Sequence, residues 1–198
     1  GLVLLASLAL DVRLLVVSSG ADISTLERHI EATATFDIIV LVALLIALLI
    51  NVILFLCWQH AAAKAVLERP DIPTPPITPG WHVGWWFIPI VNLIMPAVAI
   101  GKLYRASRNG PGAPWDATPF PSIVLGWWLL YLSGSGLGWY AGRVLGAAYG
   151  ASDVALGASI AIAGEIVTLL ALFLILRIVH KVVAFQSEWP KPPRAESD

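Results

Sequence analysis

Long apolar stretches alternate with short polar ones along this chain. As helices, which rise about 1.5 Å per residue, they reach about 27 Å or more and can span the hydrocarbon core of a bilayer. The pattern predicts four transmembrane helices, at residues 2–19, 35–58, 122–141 and 155–178. Between the first two, residues 21–33 predict about two turns of surface helix, since Ser24 and Glu27 match a capping box. The second helix should continue past its span and end at or before Arg69, because Pro70 disfavours helix in the residue before it.

Composition supports an all-α integral membrane protein. The chain is 58% hydrophobic and 13% charged, with a mean hydropathy of +0.81, whereas soluble domains are about 25% charged. A net charge of −1 gives no bulk electrostatic attraction to nucleic acid. The single cysteine, Cys57, excludes disulfides within the chain. We assign residues 1–186 to one membrane domain and the Pro-rich residues 187–198 to a disordered tail.

A fifth apolar stretch, residues 81–108, differs from an ordinary span. It follows a Pro-rich connector at 70–80 and contains Pro89 and Pro96, each of which lacks an amide donor and permits a break. It ends in three basic residues, Lys102, Arg105 and Arg108. The prolines predict a broken segment rather than a continuous helix.

The distribution of basic residues predicts the orientation. With residues 59–118 and the C-terminus in the cytoplasm, nine of the twelve basic residues lie on that side, as the positive-inside rule requires. The 81–108 segment must then enter and leave on the same side, so we predict that it is re-entrant or interfacial, with both termini cytoplasmic. Non-helical backbone at that depth must be covered by protein or water. A fifth full span is the alternative.

Four polar residues within the predicted spans are candidates for function: Asp11, Arg13, Asn51 and Glu165. Charges inside a membrane are costly and face partners in the bundle interior. Glu165 fits three interpretations, which are a proton or ion pathway, an ion pair with Arg13, and a protonated carboxyl hydrogen-bonded to Asn51.

Glycines recur every four residues from Gly134 to Gly150. Small residues at this spacing let a second helix approach closely in lipid. We predict a helix-packing ridge whose core is Gly134, Gly138 and Gly142.

Aromatic residues, prolines and an amide mark a candidate surface for a ligand or partner: Trp81, Trp85, Trp86, Pro89, Asn92, Pro96 and Trp115. The tryptophans could anchor the interface or line a site for a lipid or quinone.

His60, His82 and His180 fall near the cytoplasmic interface, but the chain has no HExxH or CxxCH motif. We therefore predict no metal or cofactor and, since no catalytic motif is present, no enzyme.

Residues 79–108, PGWHVGWWFIPIVNLIMPAVAIGKLYRASR, resemble the signature of a bacterial membrane family known as domain of unknown function 4328. Trp58, the Trp127-Trp128 pair and the final helix ending in Gln186 are similar to further features of that family. Met95 departs from many relatives, which carry a basic residue there, and this argues against an anionic-ligand site at that position. The resemblance implies a membrane protein and no particular activity.

These features predict a small multi-pass protein of the bacterial inner membrane. We expect an accessory or interaction subunit that contacts lipid and packs against other membrane subunits or further copies of itself. The alternatives are a small transporter or channel component using Glu165, and a lipid- or quinone-binding protein.

Overall fold

The computed structural model describes Leu15, residues 23–72 and residues 78–190, and in these residues every regular element is helical. These described ranges contain five α-helices long enough to be bounded: α1 Ile23–Leu67, α2 Pro79–Gly84, α3 Met95–Asn109, α4 Ser122–Gly146 and α5 Ala151–Ser187. Two 3-10 turns, Trp85–Phe87 and Val91–Leu93, join α2 to α3. The predicted span at 2–19, with Asp11 and Arg13, lies outside the described residues apart from Leu15.

Helix α1 is continuous over 45 residues. The surface helix and the second span predicted from the sequence are therefore one helix, because residues 21–69 contain neither glycine nor proline. It ends at Leu67, before Pro70, as predicted. Most large apolar side chains between Ile38 and Leu54 are exposed, which suits contact with lipid.

In the part of the chain that the structure describes, two helices are long and apolar enough to cross a membrane, Ile38–Leu67 within α1 and the whole of α5. Helix α4 has 25 residues and does not meet the same criterion. The all-helical architecture with membrane-compatible helices thus agrees with the sequence analysis. The number of spans and the orientation of the termini stay predictions.

The chain divides into two compact units. Unit 1 comprises Gly1–Val52 and Leu129–Leu172, and unit 2 comprises Ile53–Trp128 and Phe173–Asp198. The core of unit 2 is built from small and branched side chains of four helices, with at most 3% of each exposed: Ala63, Val66, Ile100, Leu103, Val124, Ile178 and Val182.

One carboxamide joins three helices of unit 2. Gln186 on α5 donates through Nε2 to the carbonyl of Ala62 on α1, at 3.1 Å, and to Oγ of Ser107 on α3, at 2.9 Å. Trp189 Nε1 donates to the Ser107 carbonyl at 3.1 Å, and Arg69 donates to the Pro190 carbonyl at 2.7 Å. Residues 189 and 190 are therefore docked on unit 2, whereas residues 191–198 lie outside the described residues, so the disordered tail stays a prediction.

A histidine is part of the same unit's interior. The His82 side chain is 1% exposed, and its Nδ1 has no hydrogen-bond partner among the described residues. Burial, followed by the charges of Lys102 and His60, lowers its pKa from 6.5 to about 4. His82 is therefore neutral at physiological pH.

Replacing Gln186 by leucine should destabilise the protein. The variant loses two hydrogen bonds, each worth about 1 kcal/mol, so we expect the free energy of unfolding to fall by about 2 kcal/mol. Denaturation in detergent, followed by circular dichroism, measures this change. The nearby exposed Glu188→Leu is the matched control, and equal stability of the two variants would contradict the bridging role of Gln186.

His82 should make stability depend on pH. Its folded pKa is lowered, so the unfolded chain binds a proton that the folded chain excludes, and its contribution is complete above about pH 6.5. Stability should fall as the pH drops through the window from 6.5 to about 4, with a total loss of roughly 3 kcal/mol. Unfolding measured across this window should show the loss in the wild type and in the exposed control His180→Gln, but not in His82→Gln. An unchanged slope in His82→Gln would assign the dependence to another group.

Candidate functional site

The Pro-broken segment folds as a helical hairpin, here called the hairpin, of residues 79–109. Helix α2 leads in, the two 3-10 turns form its apex, and α3 leads out. Pro89 lies in the turn between the 3-10 elements, and Pro96 lies in the first turn of α3, where a missing amide donor costs no helical hydrogen bond. The two prolines thus delimit the break that the sequence predicted.

The apex contains a strained turn. Ile90 has φ 65° and ψ −54°, and the amide of Val91 donates to the carbonyl of Pro89 at 2.7 Å. This is the rare γ-turn of positive φ, which a β-branched residue adopts at a cost of about 1–3 kcal/mol. The Ile90 side chain is 81% exposed, so burial of that side chain does not offset the strain.

The apex presents an apolar tip, defined as Phe87, Ile88, Ile90, Leu93 and Ile94. Phe87 is 71% exposed and Ile94 is 65% exposed. The described part of the chain thus leaves these large apolar side chains uncovered. Backbone groups of the apex are nevertheless hydrogen-bonded. Trp128 Nε1 donates to the carbonyl of Leu93 at 2.9 Å, and the amide of Asn92 donates to the carbonyl of Ile88 at 2.8 Å.

Aromatic packing supports the apex from one side. Trp86 donates through Nε1 to Oε1 of Gln59 at 3.0 Å, and its ring meets those of Phe55 and Trp128 edge-on, with centroids 5.7 and 5.9 Å apart. Trp81 and Trp85 instead stack on each other at 4.4 Å. The tryptophans predicted to form one surface therefore occupy separate environments.

Several buried polar atoms around the hairpin have no hydrogen-bond partner among the described residues. They comprise donors and acceptors: Trp58 Nε1, Gln59 Nε2, His82 Nδ1, Trp85 Nε1 and Asn92 Oδ1. Such atoms suit a bound water or the polar group of a ligand. In the part of the chain that the structure describes, no group of three or more His, Cys, Asp or Glu side chains is placed to hold a metal ion.

Two cations of the hairpin lie close to the ring of Trp115. Lys102 Nζ lies 5.5 Å and Arg105 Cζ lies 5.0 Å from its ring centroid. Asn109 fixes the loop that carries the ring, because its Nδ2 donates to the Trp115 carbonyl at 2.9 Å and its Oδ1 accepts from Thr118 at 3.1 Å. The result is a preformed cluster of an indole and two cations on α3 and the following loop.

The chain segments on either side of the hairpin meet. The amide of Gly112 donates to the carbonyl of Asp71 at 2.8 Å, and Asp71 is held by a two-bond pair with Arg69. The chain therefore returns to the place from which it entered the hairpin.

Unit 1 contains a groove of about 310 Å³ between α4 and α5. Small residues and two polar ones line it: Gly134, Gly138, Ala141, Gly142, Leu145, Ala161, Gly164, Glu165 and Thr168.

The glycines of α4 have two different environments. At Gly134, an added Cβ would lie 3.2 Å from the carbonyl oxygen of Gly164, so the two helices touch there. Among the residues that the structure describes, a Cβ added at Gly138 or Gly142 would meet nothing within 4 Å. Within that part of the chain, these two glycines leave open space in the groove.

Asn51 forms a hydrogen bond within its own helix. Its Nδ2 donates to the carbonyl of Ala47 on its own helix at 2.6 Å, and the residue is exposed.

Sequence reasoning missed the apolar tip and the buried Gln59. The signal for Gln59 was a polar Gln59-His60 pair within a helix that is otherwise apolar or small on both sides.

Comparison with known proteins identifies the family. The sequence profile described as Domain of unknown function (DUF4328) matches residues 22–184. No curated protein and no solved structure matched the chain. The match covers most of the sequence and includes the whole hairpin, which confirms the resemblance found in residues 79–108. The chain belongs to the family of domain of unknown function 4328.

Proposed function

We propose that this chain is an accessory or interaction subunit of the bacterial cytoplasmic membrane that packs against a helix of another subunit through the groove of unit 1. The observation that carries the proposal is the open backbone at Gly138 and Gly142 in that groove. In lipid, helices associate through close van der Waals packing, and small residues make such packing possible.

The contact between Gly134 and Gly164 supports this interpretation. This contact lies within unit 1. An added Cβ at Gly164 would lie 3.3 Å from the Gly138 amide nitrogen and 3.4 Å from the Gly134 carbonyl oxygen, so the two helices pack closely there. The backbone of Gly134 and Gly138 therefore packs against α5. The Cβ sides of Gly138 and Gly142 remain open among the described residues and offer space to a partner helix.

The proposal includes a topology of four spans with cytoplasmic termini and the hairpin on the cytoplasmic side. The hydrogen bond between Gly112 and Asp71 supports it, since a segment whose ends meet makes an even number of crossings. The cations of the hairpin then lie on the cytoplasmic side, in keeping with the positive-inside rule.

Cysteine labelling tests the topology. In a Cys57→Ala background, which removes the only native thiol, Asp71→Cys and Asp116→Cys should both react with a membrane-impermeant maleimide in inside-out vesicles and not in intact spheroplasts. Labelling of the two positions from opposite faces would establish a fifth full span and overturn the topology.

Substitution in the groove tests the packing surface. Gly138→Leu and Gly142→Leu should fill the open space and weaken association about tenfold, which corresponds to about 1.4 kcal/mol. Gly136→Leu is the matched control, because Gly136 is also on α4 with nothing within 4 Å but does not line the groove.

Native co-purification in mild detergent, followed by mass measurement of the complex, reads out the association. A heteromeric partner lost only in the groove variants supports the subunit role, and a homo-oligomer lost in the same way identifies the partner as a second copy. Equal recovery from all three variants would remove the groove as the packing surface.

A small transporter or channel component is the second candidate. The specific observation is that Glu165 and Thr168 are the polar residues lining the groove, and intramembrane carboxyl groups commonly mark ion pathways. Glu165→Gln keeps the shape of the side chain and removes its charge, so it should abolish proton flux in reconstituted vesicles if this function is correct. Flux that is absent in the wild type, or equal in both proteins, would exclude it.

A further inference from the structure

We propose that the hairpin is an anionic-phospholipid-binding element, whose apolar tip inserts into the cytoplasmic leaflet while Lys102 and Arg105 bind the phosphate of a lipid headgroup beside Trp115. This inference rests on the proposed topology, which places the hairpin at the cytoplasmic interface. It is independent of the groove in unit 1.

The tip continues an apolar surface of unit 2. Trp128, which hydrogen-bonds the tip, lies one turn from the half-exposed Leu125. Phe55, which contacts Trp86 beneath the apex, follows the exposed Ile53 and Leu54 on the membrane-compatible part of α1. A surface shared with lipid-facing helices favours acyl chains over water or a soluble partner as its occupant.

The spacing along α3 suits the depth of a leaflet. Lys102 follows Ile94 by eight residues and Arg105 by eleven, so they lie about 12 and 16 Å from the tip at 1.5 Å per residue. Interfacial apolar groups reach about 5–10 Å below the boundary of headgroups and acyl chains. With the tip at that depth, both cations lie at the level of the phosphates.

Charge favours an anionic headgroup. Residues 79–115 contain no Asp or Glu, and neither Lys102 nor Arg105 forms an ion pair with a residue that the structure describes. Arg105 uses Nη2 for the Asp116 carbonyl, at 2.6 Å, which orients the guanidinium and leaves its other terminal nitrogen for a phosphate oxygen. Trp115 belongs at the headgroup level, where indole rings concentrate.

Strain at the apex is consistent with this role. The turn holds Ile90 outward although the strain and the exposure both cost free energy in water. Insertion into acyl chains offsets the exposure, so the extended tip is stable in the membrane.

Depth measurement tests insertion of the tip. In the Cys57→Ala background, Ile90→Cys is labelled with an environment-sensitive fluorophore in liposomes of phosphatidylcholine and phosphatidylglycerol. Lipids brominated on the acyl chain should quench it, and aqueous iodide should not. Phe87→Cys provides a second position on the tip, and Asp116→Cys, in the exposed loop, should show the opposite pattern.

Lipid selectivity tests the cation site. The association constant of spin-labelled phosphatidylglycerol relative to phosphatidylcholine, measured by electron paramagnetic resonance, should exceed one for the wild type. It should fall about fivefold for each of Lys102→Gln and Arg105→Gln, the change expected for one surface cation. Lys181→Gln, which removes an exposed cation elsewhere in unit 2, should leave the ratio unchanged.

The outcomes separate the two proposals. Same-side labelling of Asp71 and Asp116 together with an iodide-quenched tip overturns the lipid inference and leaves the topology intact. A tip shielded from both quenchers in native membranes indicates a protein partner and also overturns it. An unchanged lipid ratio in both Gln variants removes the headgroup site, whereas labelling of Asp71 and Asp116 from opposite faces removes the topology on which the inference rests.

Discussion

The hydrogen bonds between Gln186 and its two acceptors are the constraint on which unit 2 depends. A part-buried carboxamide is costly unless it is bonded, and the two bonds of Gln186 fix α5 against α1 and α3 together. Trp189 then bonds the backbone of the same Ser107 that Gln186 reaches through its hydroxyl. The C-terminal end of α3 is thereby fixed, and the apex is the end of the hairpin that projects.

The apex meets a second constraint, that backbone which leaves helical geometry still needs hydrogen bonds. In lipid no water can supply them, and each unsatisfied group costs several kcal/mol. The indole of Trp128 bonds the carbonyl of Leu93, and the γ-turn closes on Pro89. A few local bonds thus replace the helical ladder, and the side chains of the tip remain free to contact the surroundings.

The features that sequence could predict are those set by local chemistry. Two prolines seven residues apart break a helix wherever it lies, and an uninterrupted run without Gly or Pro continues α1 to Leu67. The features that it could not predict depend on which surfaces meet. Nothing local to Gln186 shows that it bonds Ala62, which is 124 residues away, and the positive φ of Ile90 contradicts its own preference and arises from its neighbours.

The glycine series also shows what the sequence alone cannot predict. Its four-residue spacing predicts a ridge, but the spacing is identical for Gly134, where an added Cβ would meet α5, and Gly138, where an added Cβ would meet no described atom within 4 Å. The apolar tip is a second such surface, exposed where a water-soluble fold would bury it. Open glycine backbone and exposed large apolar side chains are both unfavourable in water and both suited to a bilayer, where we propose that one meets a helix and the other meets acyl chains. The two proposals thus account for these two surfaces, which the described residues leave uncovered.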